Sequence, residues 1–292
     1  MSTIAAAPRR RPTFAWVGVL PFFLFSFAAL LAPVAFLVVG SFQDSHAHWT
    51  VKNYIDLSTG TIPIAFRNSI EISAITALLG GFFGFLLAWA VIMGGLPGWI
   101  RSAVMTFSGV ASNFAGVPLA LAFIFTLGNL GLITKFVLDT FGINMRQDLG
   151  FNLYSKLGLE IVYLYFQFPL MVLIIAPALD GLRREWREAA ENLGASSGQY
   201  WRHVALPILA PSILGTIILL FGNAFGAQAT AFQLTGGFID LATINIGRQI
   251  SGDVLHNVNL GYAMAMGMVI VMSITISIYT VLQRRSERWV RS

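Results

Sequence analysis

The chain has 292 residues, of which 56% are hydrophobic and only 11% charged, with a mean hydropathy of +0.74. A soluble domain carries about 25% charged residues, so this composition excludes one and points to a protein embedded in a membrane. The net charge of +5 does not imply a nucleic-acid partner, because the basic residues gather at the edges of apolar stretches, and the absence of cysteine excludes a disulfide framework and any cysteine-based metal site or nucleophile.

Residues 1–13 form a tail containing Arg9, Arg10 and Arg11, after which no charge occurs until residue 44. This run exceeds the roughly 7 to 15 residues of a signal-peptide core and has no A-x-A site after it, so it reads as a retained membrane anchor. A spanning helix needs roughly 20 mainly apolar residues. Six stretches qualify, at 14–41, 68–93, 101–128, 157–180, 207–229 and 260–283, and they make an all-α integral membrane domain over 14–283 with a tail at 284–292. Six spans put both termini on one side, and Lys and Arg decide which. With the termini inside, the inner segments hold Arg9, Arg10, Arg11, Arg101, Arg183, Arg184, Arg187, Arg202, Arg284, Arg285, Arg288 and Arg291. The outer segments hold only Lys52, Lys135, Lys156, Arg67, Arg146 and Arg248. The termini are therefore expected in the cytoplasm, and Glu71 and Glu160 fall near outer helix ends, where a carboxylate reaches water.

Along the spans, Ser112, Asn113, Gly116 and Pro118 interrupt the third, and Pro169 and Pro177 sit inside the fourth, where proline is expected to kink a helix. Gly80-x-x-x-Gly84 and Gly222-x-x-x-Gly226 have the small-residue spacing that lets membrane helices approach closely. Trp16, Trp99, Tyr262 and Trp289 lie near span ends as interfacial belt residues. His46, His48 and Asp44 on the first outer loop form an incomplete ligand set, which favours solvation or a protein contact over a structural metal.

Between the fourth and fifth spans, 181–206 contains a charged insert, EWREAAENLGASSGQYWRHVALP over 185–207. Trp186, Ala189, Ala190 and Leu193 recur at helical spacing, and Gly194 supplies a C-terminal stop. Ser196 followed by Gln199 reads as a capping box that restarts a helix, and Pro207 suits the first turn of the next span. The result is a compact knob, either a docking surface or an amphipathic hairpin lying on the membrane. Gly194-Ala195-Ser196-Ser197-Gly198 is a literal G-x-S-x-G, but a hydrolase serine needs a base and an oxyanion hole, and capping already accounts for Ser196.

The insert resembles the EAA loop of permeases of type I ABC importers, written E-A-A-x3-G-x9-I-x-L-P. Glu188, Ala189, Ala190, Gly194, Leu206 and Pro207 match at the same spacing, with Val204 in place of Ile. The resemblance implies a six-span permease whose loop inserts into a cleft of a separate ATPase. Glu188 would then pair a basic ATPase residue, Ala189 and Ala190 would allow close contact, and Gly194 would set the angle between helices. It also implies two ATPase copies carrying ATP and Mg, a second similar permease forming a heterodimer, and a periplasmic or lipid-anchored binding protein, in a bacterial inner membrane. No G-x-x-x-x-G-K-[ST] occurs, so hydrolysis and its cofactors belong to another chain and this one is not itself an enzyme.

A secondary transporter or channel is the alternative class. It would carry ionisable residues in mid-span, whereas those here are the neutral Ser112, Asn113, Gln167, Asn223, Gln228 and Thr230. Asn113, Asn223 and Gln228 are the candidates for a translocation path, each weighed against a role as interhelical glue. Pro21, Pro33, Ser41-Phe42, the TGG at 235–237 and the LAT at 241–243 resemble the branch serving polyamines, 2-aminoethylphosphonate and ferric iron, which implies a small polar cargo such as spermidine or putrescine.

Overall fold

The computed structural model of the chain describes residues 15–251 and 257–291, with side chains over 18–251 and 257–284. Arg9, Arg10, Arg11 and the side chains of Trp16, Arg285, Arg288, Trp289 and Arg291 lie outside the described parts.

The described residues are helical throughout, apart from turns and one isolated β-bridge between Gln43 and Trp49. The first span is α1 (Ala15–Ser26), a π-helical turn (Phe27–Leu31) and α2 (Ala32–Ser41) in unbroken succession. The short α3 (Lys52–Asp56) follows, then α4 (Ile62–Met93), which begins before the predicted position 68. The third segment is α5 (Gly98–Asn113) and α6 (Gly116–Leu127), separated at Phe114 and Ala115, and α7 (Leu132–Phe141) follows. The fourth span, α8 (Lys156–Asp180), leads to α9 (Arg184–Asn192). Next come α10 (Ser197–Tyr200), a second π-helical turn (Trp201–Ala205), α11 (Leu206–Phe225), α12 (Gln228–Thr235), α13 (Ala242–Ser251) and α14 (Val258–Arg291). Among the described residues six helical stretches are long and apolar enough to cross a membrane; the third is Gly116–Phe141, over α6 and α7, and not the expected 101–128.

Helices α4 and α8 run parallel. At one end Lys156 Nζ lies 3.4 Å from Glu71 Oε2, and further along a Cβ on Gly80 would meet Gln167 and one on Gly84 would meet Met171 and Phe168. Glycine at both positions is what lets the two backbones approach. At the other end Arg101 Nη2 of α5 donates to Asp180 Oδ2 at 2.6 Å, so α5 lies antiparallel to α8. The charged insert at 181–206 emerges from this second end, the insert face; the Glu71–Lys156 end is the far face. α8 spans about 37 Å between them at about 1.5 Å per residue.

The prolines take different positions in the helices. Pro169 and Pro177 lie inside one continuous α8, and Pro118 lies in the first turn of α6, where its missing N–H costs nothing. Pro207 lies in the first turn of α11 as expected, yet the fifth span begins before it. The chain is already helical from Ser197, and the wider turn at Trp201–Ala205 takes up the clash that proline makes with the preceding turn. Pro33 follows the turn at Phe27–Leu31 in the same way.

Candidate functional site

The charged insert at 181–206 is built by local rules. α9 ends in two bonds, Gly194 N–H to Glu191 O at 2.9 Å and Ala195 N–H to Ala190 O at 3.0 Å. With Gly194 at φ +80° these make a Schellman stop, a conformation that glycine adopts without Cβ strain. Ser196 Oγ then accepts from the Gln199 N–H at 3.3 Å, while Gln199 Oε1 accepts from the Ser196 N–H at 2.7 Å. The capping box expected from the sequence is formed. Tyr200 is buried, and the Trp201 ring meets Trp89 of α4 edge-on at 5.8 Å, which fixes this half of the insert to the bundle. The second short helix is therefore fused to the fifth span, and α9 alone stands out as a separate element.

On α9, Glu188 Oε1 lies 3.1 Å from Arg184 Nε and Arg187 Nε lies 2.9 Å from Glu191 Oε1. Both pairs are exposed and place Arg before Glu, the weaker order for an i,i+4 pair, so each contributes only a few tenths of a kcal/mol. Arg183 sits over Trp186 with 5.8 Å from Cζ to the ring. Ala189 is exposed, Ala190 is half-buried, and Leu193 is 88% exposed. Ala190, Leu193 and Gly194 line one side of a concavity of about 320 Å³, with Gln199, Tyr200, His203 and Val204 on the other. Leu206 is partly exposed, and Pro207 follows it at the start of α11. Leu193 and Ala189 are thus left uncovered in the single chain.

A second cluster lies at two interruptions of the bundle helices. The break between α5 and α6 and the break between α11 and α12 come together, because the Gly116 N–H donates to Thr230 Oγ1 at 2.8 Å and a Cβ on Gly116 would lie 3.9 Å from Ala229 Cβ. Tyr163 Oη donates to Ala227 O at 2.6 Å, satisfying a carbonyl freed by the second break. Asn113 and Gln228 flank this junction, and Asn223 lies on α11 one turn before the second break; all three are exposed in the single chain. Asn113 Nδ2 donates to Gly109 O within its own helix at 2.8 Å, which leaves its amide oxygen open. Gln228 rests on Gly247 of α13. Ser112 is half-buried and bonded to Gly109 O, and Thr230 is consumed in holding the two breaks together. Gln167 is fully buried and donates from Nε2 to Thr76 Oγ1 at 3.3 Å, so it joins α8 to α4 and faces no path.

The histidine loop is a folded turn. Asp44 Oδ1 accepts from the N–H groups of His46 and His48, both at 2.9 Å. Among the described residues no three His, Cys, Asp or Glu side chains gather at metal-binding distances.

Residues 80–292 match the family described as binding-protein-dependent transport system inner membrane component. The chain belongs to this family. It is a membrane-embedded permease of the ABC importer type, and the secondary-transporter alternative is not favoured. Among curated relatives it is similar to a probable sulfate transport system permease protein cysT of Nephroselmis olivacea, 27% identical over 237 residues, covering 80% of this chain and 76% of that protein. It is also similar to the sulfate transport system permease protein CysT of Salmonella typhimurium, 28% identical over 214 residues, covering 73% and 72%. A solved bacterial ABC transporter involved in the import of the acidic polysaccharide alginate has the same fold, with a TM-score of 0.71 at 16% identity, covering 93% of this chain and 95% of that one.

These relatives correct the expectation of a polyamine, 2-aminoethylphosphonate or ferric-iron branch. The short stretches behind that expectation serve the backbone. Gly236 and Gly237 both have positive φ in the turn after α12, the Ala242 N–H donates to Ser69 Oγ at the start of α13, and Pro33 follows a π-turn. Residues selected by turn geometry report the fold and carry no information about cargo.

Proposed function

We propose that this chain is one of two permease subunits of an ATP-driven importer for sulfate or a similar small tetrahedral oxyanion. Its insert face meets a separate ATPase through Glu188, Ala189, Ala190 and Gly194, with Leu206 and Pro207 carrying the movement into the fifth span. The reading rests foremost on α9, a separate helix beyond the spans that ends at the Gly194 stop and leaves Ala189 and Leu193 exposed. When two ATPase subunits close on ATP, such helices are drawn together and the bundles rotate, a rigid-body change between two states.

The cargo class is supported by the sulfate permeases among the relatives. At the junction α6 and α12 begin while α5 and α11 end, so opposite partial charges of helix termini meet there and the junction itself sets no sign for the cargo. Asn113, Asn223 and Gln228 bring neutral amides to the same region, which suits transient passage after a binding protein has made the selection. The exposed faces of α5 and α11 around them are where a second, similar permease completes the path.

The test is uptake in membrane vesicles supplied with ATP and the cognate binding protein, comparing radiolabelled sulfate with spermidine. ATP-dependent sulfate uptake that is abolished by Glu188→Ala with Ala190→Asp, at unchanged permease level, supports the reading. Uptake that survives the double substitution refutes the coupling role, spermidine uptake without sulfate uptake refutes the cargo class, and ATP-independent uptake restores the secondary transporter.

A further inference from the structure

At the far face, α7 packs on α6 and leaves most of its apolar surface uncovered. Leu132, Phe136 and Phe141 are 73%, 58% and 65% exposed, and Leu130 just before the helix is 85% exposed. Around the helix only Lys135 and Asp139, four residues apart, form a charged stripe; a helix this apolar on its remaining sides is stable at a lipid boundary and not in open water. Its depth agrees. α7 follows the far end of α6, where a Cβ on Gly128 would meet Tyr154 Oη just before α8 begins, close to the level of the Glu71–Lys156 pair.

Behind α7 lies a cavity of about 300 Å³, closed by the turn that carries Asn144, Arg146 and Gln147. Its lining combines the apolar Leu127, Leu138, Phe151 and Leu153 with the polar Asn129, Thr134 and Arg146. Thr134 Oγ1 is buried with no hydrogen-bond partner, although a buried hydroxyl ordinarily finds one. Arg146 is the only charged residue in the lining, and its guanidinium has no partner among the described residues. The nearest acid in sequence, Asp148, has its carboxylate occupied by the Asn144 N–H at 2.6 Å. An open guanidinium, an unpaired hydroxyl and apolar lining residues together match a group with an anionic head and an aliphatic body.

We propose that α7 and the adjoining turn form a lipid site in the far leaflet. Arg146 and Thr134 hold the phosphodiester of an anionic phospholipid there, while Leu132, Phe136 and Phe141 lie among acyl chains. The same oxyanion chemistry would also suit free sulfate, and the two sources are separable. The lipid needs the apolar face of α7 as well as the pocket, and inorganic sulfate needs the pocket alone.

The experiment uses the full chain and titrates phosphatidylglycerol against detergent-purified protein, reading bound lipid by native mass spectrometry. Arg146→Gln with Thr134→Val is expected to weaken retention about tenfold, the loss of a charge-assisted contact. Lys52→Gln, a far-face cation on another element, is expected to leave it unchanged. Equal retention by wild type and the double variant overturns the proposal, as does displacement of the lipid by millimolar inorganic sulfate. A second measurement leaves the pocket untouched. Because the chain has no cysteine, Phe136→Cys can carry a single fluorescent label in nanodiscs. Quenching by phosphatidylglycerol spin-labelled on its acyl chain supports the site, and absence of quenching overturns it.

Discussion

Substituting Gly84 by alanine tests the account of how α4 and α8 are held together. The added Cβ would stand 2.6 Å from Met171 Cβ and 2.7 Å from the Phe168 carbonyl oxygen. Comfortable separations for such pairs are about 3.5 Å or more, so the helices must part by nearly 1 Å along their closest contact. Neither obstacle can swing aside, since one is a backbone carbonyl and the other a Cβ fixed to its helix. Overpacking of this kind costs about 1 to 3 kcal/mol, and loosened contacts at Gly80 and Gln167 place Gly84→Ala in the upper part of that range, near 2 kcal/mol. Gly222 has the same sequence spacing to Gly226 but a different neighbour. Its Cβ would meet the terminal methyl of Met272 at 2.7 Å, and a methionine methyl moves aside at little cost. Gly222→Ala is therefore expected to cost under about 1 kcal/mol. The assay is unfolding by increasing SDS in mixed micelles, followed by far-ultraviolet circular dichroism. Equal midpoint shifts for the two variants, or no shift for Gly84→Ala, would refute the assignment of the first glycine pair to close helix contact.

Gly194→Ala meets no atom within 4 Å, so its whole effect comes from forcing φ +80° on a residue with a Cβ, about 1 to 2 kcal/mol. Coupled uptake should fall in the order Gly, Asn, Ala, Val at this position, and indifference to the series would remove the backbone argument. Ser196→Ala removes the capping box and about 1 kcal/mol of helix stability, whereas Ser196→Asp retains a cap; proteolysis of the insert should distinguish them, and identical behaviour would contradict the capping role. Asp44 lies below the ordinary carboxylate value, chiefly through the His48 N–H; burial opposes this and the His46 N–H adds to it. A depressed folded pKa means the turn's stabilisation is present above the unfolded value and lost as pH falls through the folded one. Amide protection at His46 and His48 should therefore hold at pH 5 and disappear only below about 3.8. Loss near neutral pH would assign control of the turn to the histidines. Single cysteines at Ser196 and Asn144 should label from opposite sides of the membrane, and same-side labelling would overturn the topology.

Five of the six spans, the Schellman stop and the capping box were legible in the sequence because each depends on residues within a few positions of one another. Apolar runs of spanning length, a glycine after a helical pattern and a serine three residues before glutamine impose their structure locally. The candidate path residues were harder to read. Asn113, Gln167 and Asn223 look alike in sequence as amides inside apolar stretches, yet Gln167 is sealed between α4 and α8 while the other two face outward. The difference lies in which side of the helix a neighbour covers.

What the sequence alone determined was the membrane class, the number of spans and the local structure of the charged insert, all consequences of hydropathy and short-range hydrogen bonding. What only the tertiary structure decided was the meeting of the two helix breaks through Gly116 and Thr230, the true close contact at Gly84, and the pocket behind α7. Each depends on residues far apart in the chain, or on the register of one helix against another. Side-chain packing sets that register, and local propensity carries no record of it.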